Sequence, residues 1–137
     1  MPQPPIFFGN EGFLPLGIFM NNSTDFTFYV THDGGTTWSG NPTNSKMVLK
    51  QGIYAFADAM HGWSWDGGAT VNSTSDGAQT WNGVTTNIDL SGRLSHMVFV
   101  PGTGGQFIGW ALTGQDNAGQ SQLYKTTDNC STWTLIP

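Results

Sequence analysis

The stretch THDGGTTW, residues 31–38, returns in altered form as STSDGAQTW at 73–81 and KTTDNCSTW at 125–133. Each copy holds an aspartate, a glycine-like residue, a hydroxyl and a tryptophan: Asp33, Gly34, Thr37 and Trp38; Asp76, Gly77, Thr80 and Trp81; Asp128, Asn129, Thr132 and Trp133. Gly34 and Gly77 stand where a hairpin needs a positive φ, and asparagine is the residue next most tolerant of that backbone. The aspartate can accept hydrogen bonds from turn amides and from the hydroxyl that follows, which pins the hairpin, while the tryptophan covers an apolar seam. His32 of the first copy becomes Ser75 and Thr127 in the others, so the reactive group varies while aspartate and tryptophan stay. What repeats is therefore a staple for a hairpin.

The flanks repeat as well. Each unit opens on an aromatic-rich run (PIFFGNEG, IYAFADAMHG, HMVFVPGTGG), continues with a glycine-aromatic run (GFLPLGIF, GWSW, FIGWALTG) and a third run (FTFYVTHD, ATVNSTSD, SQLYKTTD), and ends after the turn on TTWSG, QTWNGV or STWTLI. The runs are short, rich in β-branched and aromatic residues and bounded by Gly, Asn, Asp and Pro, which reads as strands and hairpins. In FTFYVTHD, Phe26, Phe28 and Val30 would face one way and Thr27, Tyr29 and Thr31 the other. The tryptophans Trp38, Trp81 and Trp133 are spaced by 43 and 52 residues, the length of a four-stranded propeller blade. The expectation is an all-β chain of about twelve strands in three antiparallel sheets. One unit covers 1–137, with blades over about 5–42, 50–88 and 94–137.

A chain of 137 residues can bury roughly two-thirds of its unfolded surface in one domain. Nine acidic residues against four basic ones give a net charge of −5, without the clustered Lys and Arg that a phosphate backbone demands, so nucleic acid is excluded as a partner. Only 9% of residues are charged while Gly, Ser, Thr and Asn abound, a balance of β-rich surface or secreted proteins that suggests an extracellular or cell-surface setting. MPQPPIFFGNEGF at the N-terminus has neither a basic n-region nor a long apolar run, so neither a signal peptide nor membrane insertion is read there. The single Cys130 excludes an internal disulfide, and His32, His61 and His96 are scattered, so no metal and no cofactor is expected. Sequons at Asn22, Asn72 and Asn129 arise easily in such a composition.

The pattern S/T-x-D-x-G-x-T-W resembles the Asp-box, or BNR repeat, of β-propellers that include sialidases, xyloglucanase-type glycoside hydrolases, sortilin-type receptors and the photosystem II assembly factor type. The layout of aromatic run, Gly-Trp strand and TTDGGxTW looks most like the last. The resemblance covers essentially the whole chain, is strict only in the first copy, and departs at Ala78, at Asn129-Cys130 and at Gly12-Phe13, which replaces the Gly-Trp of Gly62-Trp63 and Gly109-Trp110. It implies four-stranded blades with structural hairpins at the rim. Three blades leave two apolar sheet faces uncovered, so the chain is expected to form half of a six-bladed propeller, completed by a homodimer, or part of a larger one with adjoining blades.

Sialidase chemistry would require three arginines and a tyrosine paired with a glutamate. Arg93 and Glu11 are the sole residues of their types, which excludes it. A xyloglucanase-like site needs two carboxylates across an aromatic-lined groove. Outside the repeated hairpins the aspartates are Asp25, Asp58, Asp66, Asp89 and Asp116. Asp66, beside Trp65, offers carboxylate and stacking platform for a carbohydrate, with Asp58 as second carboxylate; equally, Asp66-Gly67-Gly68 spells a hairpin turn. His61 is a candidate base that reads as a turn residue, Asp116 reads as a solvated loop, and Cys130 lacks a flanking base. An arginine-rich surface, which the photosystem assembly type uses, cannot be made from Lys46, Lys50, Arg93 and Lys125. The function expected is a non-catalytic module for binding or assembly. A polysaccharide-binding or polysaccharide-cleaving propeller piece and a surface or virion structural protein are the alternatives.

Overall fold

The computed structural model describes residues 4–20, 23–40, 49–50, 53–90 and 92–137; Asn22 and Lys46 lie outside them. The first sheet runs β1 (Ile6–Phe8), β2 (Glu11–Met20), β3 (Ser23–Thr31) and β4 (Ser39–Gly40), and β5 (Leu49–Lys50) also pairs with β3. The second runs β6 (Ile53–Phe56), β7 (Gly62–Trp65), β8 (Thr70–Thr74) and β9 (Asn82–Thr85). The third runs β10 (Leu94–Pro101), β11 (Phe107–Thr113), β12 (Leu123–Thr126) and β13 (Thr134–Ile136). All are antiparallel meanders in chain order, three blades as the repeats imply.

The described residues hold thirteen strands where about twelve were expected. The extra one has a physical reason. β3 has nine residues and β4 only two, so part of the β3 edge is left without a ladder partner, and Leu49 and Lys50 pair with Phe26 and Asp25 there.

The glycine-aromatic pairs set how the blades meet. Phe7 lies opposite Gly12, Phe56 opposite Gly62 and Phe99 opposite Gly109. Each ring lies so close over its glycine that a methyl group there would collide with it, which explains the glycine by close approach rather than by backbone freedom. Successive residues of a strand face opposite sides, so Phe13 and Trp63, one position on, point at the following blade.

The core accordingly sits between sheets. Phe13 and Phe28 of the first blade pack with Phe56, Ala78 and Trp81 of the second, with Val30 against them. Trp63, Trp65 and Val71 of the second pack with Met97, Phe99, Ala111, Cys130 and Trp133 of the third. Phe28 and Val30 share a face as the alternation of β3 predicts, while the ring of Tyr29 lies by Gly40. Full burial of such a side chain contributes about 1.5–3 kcal/mol, and a stacked aromatic pair about 0.5–1.5 kcal/mol more.

Candidate functional site

The three aspartate hairpins have the same internal wiring. Thr37, Thr80 and Thr132 donate their backbone N–H to Oδ1 of Asp33, Asp76 and Asp128 at 2.9, 2.8 and 2.8 Å. The hydroxyls of Thr37 and Thr80 also donate to Oδ2 at 2.6 and 2.5 Å. A further threonine two positions before each aspartate completes the knot. Thr31, Thr74 and Thr126 donate to Oδ1 at 2.8, 2.9 and 3.0 Å while accepting from the N–H of Gly35, Ala78 and Cys130. All three threonines are buried, and a hydroxyl is the group that can donate and accept at once. They stand in every copy of the repeat, yet the sequence reading assigned them no role.

Stabilising the carboxylate form lowers its pKa. The hydroxyl and amide of Thr37 and the hydroxyl of Thr31 hold Asp33 at about 2. Burial pushes Asp76 and Asp128 up, but hydrogen bonds from Thr80 and Thr132 outweigh it and both end below the usual carboxylate range. The three carboxylates are thus stabilised in their ionised form by the turns they anchor.

Two successive turn residues have positive φ in every copy: Gly34 and Gly35, Gly77 and Ala78, Asn129 and Cys130. Ala78 at +68° and Cys130 at +70° bear the steric strain of that region, and both bury their side chains in a seam. Burial also drives the Cys130 thiol far up, which makes it an inert filler. Asn129 does more than tolerate its φ of 56°: its Oδ1 accepts from Trp63 Nε1 of the preceding blade at 2.9 Å. The repeated tryptophans differ too. Trp38 Nε1 donates to Gly35 O, whereas Trp133 Nε1 has no partner among the described residues and its backbone is clasped by the Asn87 amide, at 2.8 and 3.2 Å.

The proposed carbohydrate platform is not where the sequence put it. Trp65 is 1% exposed, stacks on Trp133 at 5.3 Å and 17°, and donates Nε1–H to Gly68 O; a sugar ring cannot reach it. Asp66 is exposed and caps its own turn, accepting from Gly68 N–H at 2.8 Å. Asp58 caps the β6–β7 turn, accepting from the N–H of Met60 and His61 and from His61 Nδ1. Burial raises Asp58, but these bonds outweigh it and leave it below its ordinary range. The four residues of β7 separate Asp58 from Asp66, about 3.3 Å each, so the two sit at opposite ends of the blade and exceed the roughly 5–9.5 Å of a carboxyl pair flanking a glycosidic bond. Asp116 likewise caps a turn, accepting from Ala118 and Gln120. Asp25 stands on β3 opposite Lys50, and Asp89 is exposed. No group of three His, Cys, Asp or Glu gathers as a metal cluster among the described residues.

Two grooves do recur. One, of about 290 Å³, lies between the first and second blades and is lined by Glu11, His32, Met60, Asp76 and Gly77 among others. The other, of about 530 Å³, lies between the second and third blades against His61, Trp63, Phe107, Asp128 and Asn129. Both form where an aspartate hairpin meets the β1–β2-type turns, so they are equivalent places in successive repeats. The first holds an exposed side-chain hydrogen bond between His32 Nδ1 and Glu11 Oε2 at 2.5 Å. In the second, the His61 ring packs on Phe107 at 4.5 Å. Among the described residues, neither lining contains Lys or Arg.

No family model matches this chain, and no curated protein matches it. Among solved structures, a chain described as "YCF48 bound to D1 peptide" is similar, with a TM-score of 0.57 and 23% identity, covering 93% of this chain and 36% of that one. The chain thus spans little more than a third of that structure's length. That neighbour is a β-propeller, and the likeness establishes the fold of the three sheets as propeller blades.

Proposed function

We propose that this chain is a non-catalytic propeller module acting in binding or assembly, and that its repeated hairpins are Asp-boxes serving as scaffold. The pair of acidic grooves at equivalent inter-blade positions carries the reading. Each groove presents carboxylates (Glu11 and Asp76 in one, Asp128 in the other) beside apolar wall from Met60 or from Trp63 and Phe107, and among the described residues neither is lined by Lys or Arg. A polypeptide segment bearing lysine or arginine matches that chemistry, its charge meeting the carboxylates and its aliphatic stem the wall. The similar structure holds a peptide, which supports the same class of ligand. Catalysis finds no footing at the pair the sequence suggested, because Asp58 and Asp66 each cap a turn and Trp65 is buried.

Calorimetric titration with unstructured lysine-bearing peptides, run beside hydrolysis assays on β-glucans, tests this. Salt-sensitive peptide binding that weakens in Asp128→Asn or Glu11→Gln is expected, without glycan turnover. Turnover that Asp66→Asn abolishes would overturn it.

A further inference from the structure

The two junctions between blades are copies of one another, and the molecule carries the unjoined halves of a third. In each junction the first-strand phenylalanine of the later blade stands edge-on to that blade's hairpin tryptophan: Phe56 to Trp81 at 6.3 Å and 73°, Phe99 to Trp133 at 6.2 Å and 78°. The ring that follows the glycine of the earlier blade then stacks flat on that phenylalanine: Phe13 on Phe56 at 4.1 Å and 7°, Trp63 on Phe99 at 3.8 Å and 9°. The open face of the first blade holds the receiving pair already assembled, Phe7 and Trp38 at 6.0 Å and 70°, with Phe7 43% exposed. The open face of the third blade holds the entering ring, Trp110, next to Gly109 as Phe13 is next to Gly12 and Trp63 to Gly62. Trp110 shares that face with its cross-strand neighbour Val98, and Val98 and Leu112 are 53% and 39% exposed.

We infer that the partner of these two faces is a second copy of the chain, Trp110 of each copy stacking on Phe7 of the other to close a six-bladed ring about a two-fold axis. The inference rests on the reading of the chain as an assembly module. The faces complement each other and not themselves, so their contact is head-to-tail, and two copies of three blades are the smallest number that returns the last face to the first. The contact also continues an interface the chain makes twice within itself, which is why a copy suits it better than an unrelated protein.

The pattern of polar partners supplies a further handle. Trp63 Nε1 meets Asn129 across its junction, and Phe13, without an N–H, meets a blade with Gly77 at the same place. Trp110 would meet Gly34. At Gly34, whose φ is +70°, an added Cβ would meet only the Asn10 side chain, at an ordinary contact distance of 3.5 Å, and asparagine accepts that backbone, so Gly34→Asn creates the acceptor that the third junction lacks.

Sedimentation equilibrium across a concentration series tests the inference. The chain of 14.8 kDa is expected at twice its mass. Phe7→Ala and Trp110→Ala should each weaken the dimer by about a hundredfold, as loss of a central aromatic anchor does, and Gly34→Asn should tighten it several-fold. Mixing the two alanine variants leaves one junction intact in the heterodimer and should restore association, a result that a folding defect in either variant would not give. A monomer at high micromolar concentration, as a chain made to join other blades would be, overturns the inference, as does a dimer indifferent to Trp110→Ala or variants that do not rescue each other. A monomer that still binds lysine-bearing peptides would overturn the second copy and leave the groove reading standing; a dimer that binds none would do the reverse.

Discussion

The two seams of this molecule solve one packing problem with different chemistry. Between the first and second blades the stacked pair is Phe13 on Phe56, wholly apolar; between the second and third it is Trp63 on Phe99, with an indole N–H that must be satisfied. The second seam answers by changing a residue on the far blade, where Asn129 stands in the place of Gly77. A turn residue and a core residue 66 positions apart are thus bonded to each other, and a substitution that looks conservative within its hairpin also serves the neighbouring sheet.

The comparison breaks most severely if the stacked ring is removed. Phe13→Ala and Trp63→Ala are each expected to destabilise the fold by about 3–5 kcal/mol in urea unfolding, as for large aromatics deleted from cores, with Trp63→Ala the costlier because it removes the larger ring together with its hydrogen bond to Asn129 Oδ1. Next come the buried threonines. Thr74→Val strikes the hairpin whose Ala78 and Trp81 line the first seam, and Thr126→Val the one whose Cys130 and Trp133 line the second; each leaves buried amides without an acceptor and should cost about 1–3 kcal/mol.

A double-mutant cycle sharpens the comparison. Trp63→Phe should convert the second seam to the type of the first and lose about 1 kcal/mol, Asn129→Gly likewise, and the two together less than their sum, by a coupling of about 0.5–1.5 kcal/mol. Full additivity would show that the seams do not differ in the way described.

Acid titration probes the first hairpin, whose aspartate is exposed. Asp33 is held at about 2 against an ordinary 3.8; because its folded value is depressed, its contribution is present above about pH 4 and fades as pH falls toward 2. Asp33→Asn should lose that slope in unfolding midpoints measured across the window. The smallest effect belongs to Ala78→Gly. Relief of a positive φ is offset by loss of a buried methyl and by greater unfolded-state freedom, so the change should stay within about 1 kcal/mol.

These contrasts also mark what could be read from the chain itself. The hairpins were legible because turn chemistry is local: Asp33, Gly34 and Thr37 act within five residues, and three copies in phase give away the blade length. The buried threonines were legible in principle, since Thr31, Thr74 and Thr126 recur, but only burial shows that each hydroxyl is spent in both directions. Trp65 misled. Beside an aspartate it looks like a sugar platform, and what buries it is Trp133 of another blade, a contact that no local pattern reports. The short β5 was missed for a related reason, being created by the unpaired edge of β3 rather than by its own two residues.

Cys130 gives the molecule a built-in stopwatch. It is the sole thiol in the chain, fully buried in the third blade's hairpin and held in its unreactive protonated form, so a disulfide reagent can modify it only when that blade opens. The rate of labelling under native conditions reads the opening of one blade out of three without any introduced probe.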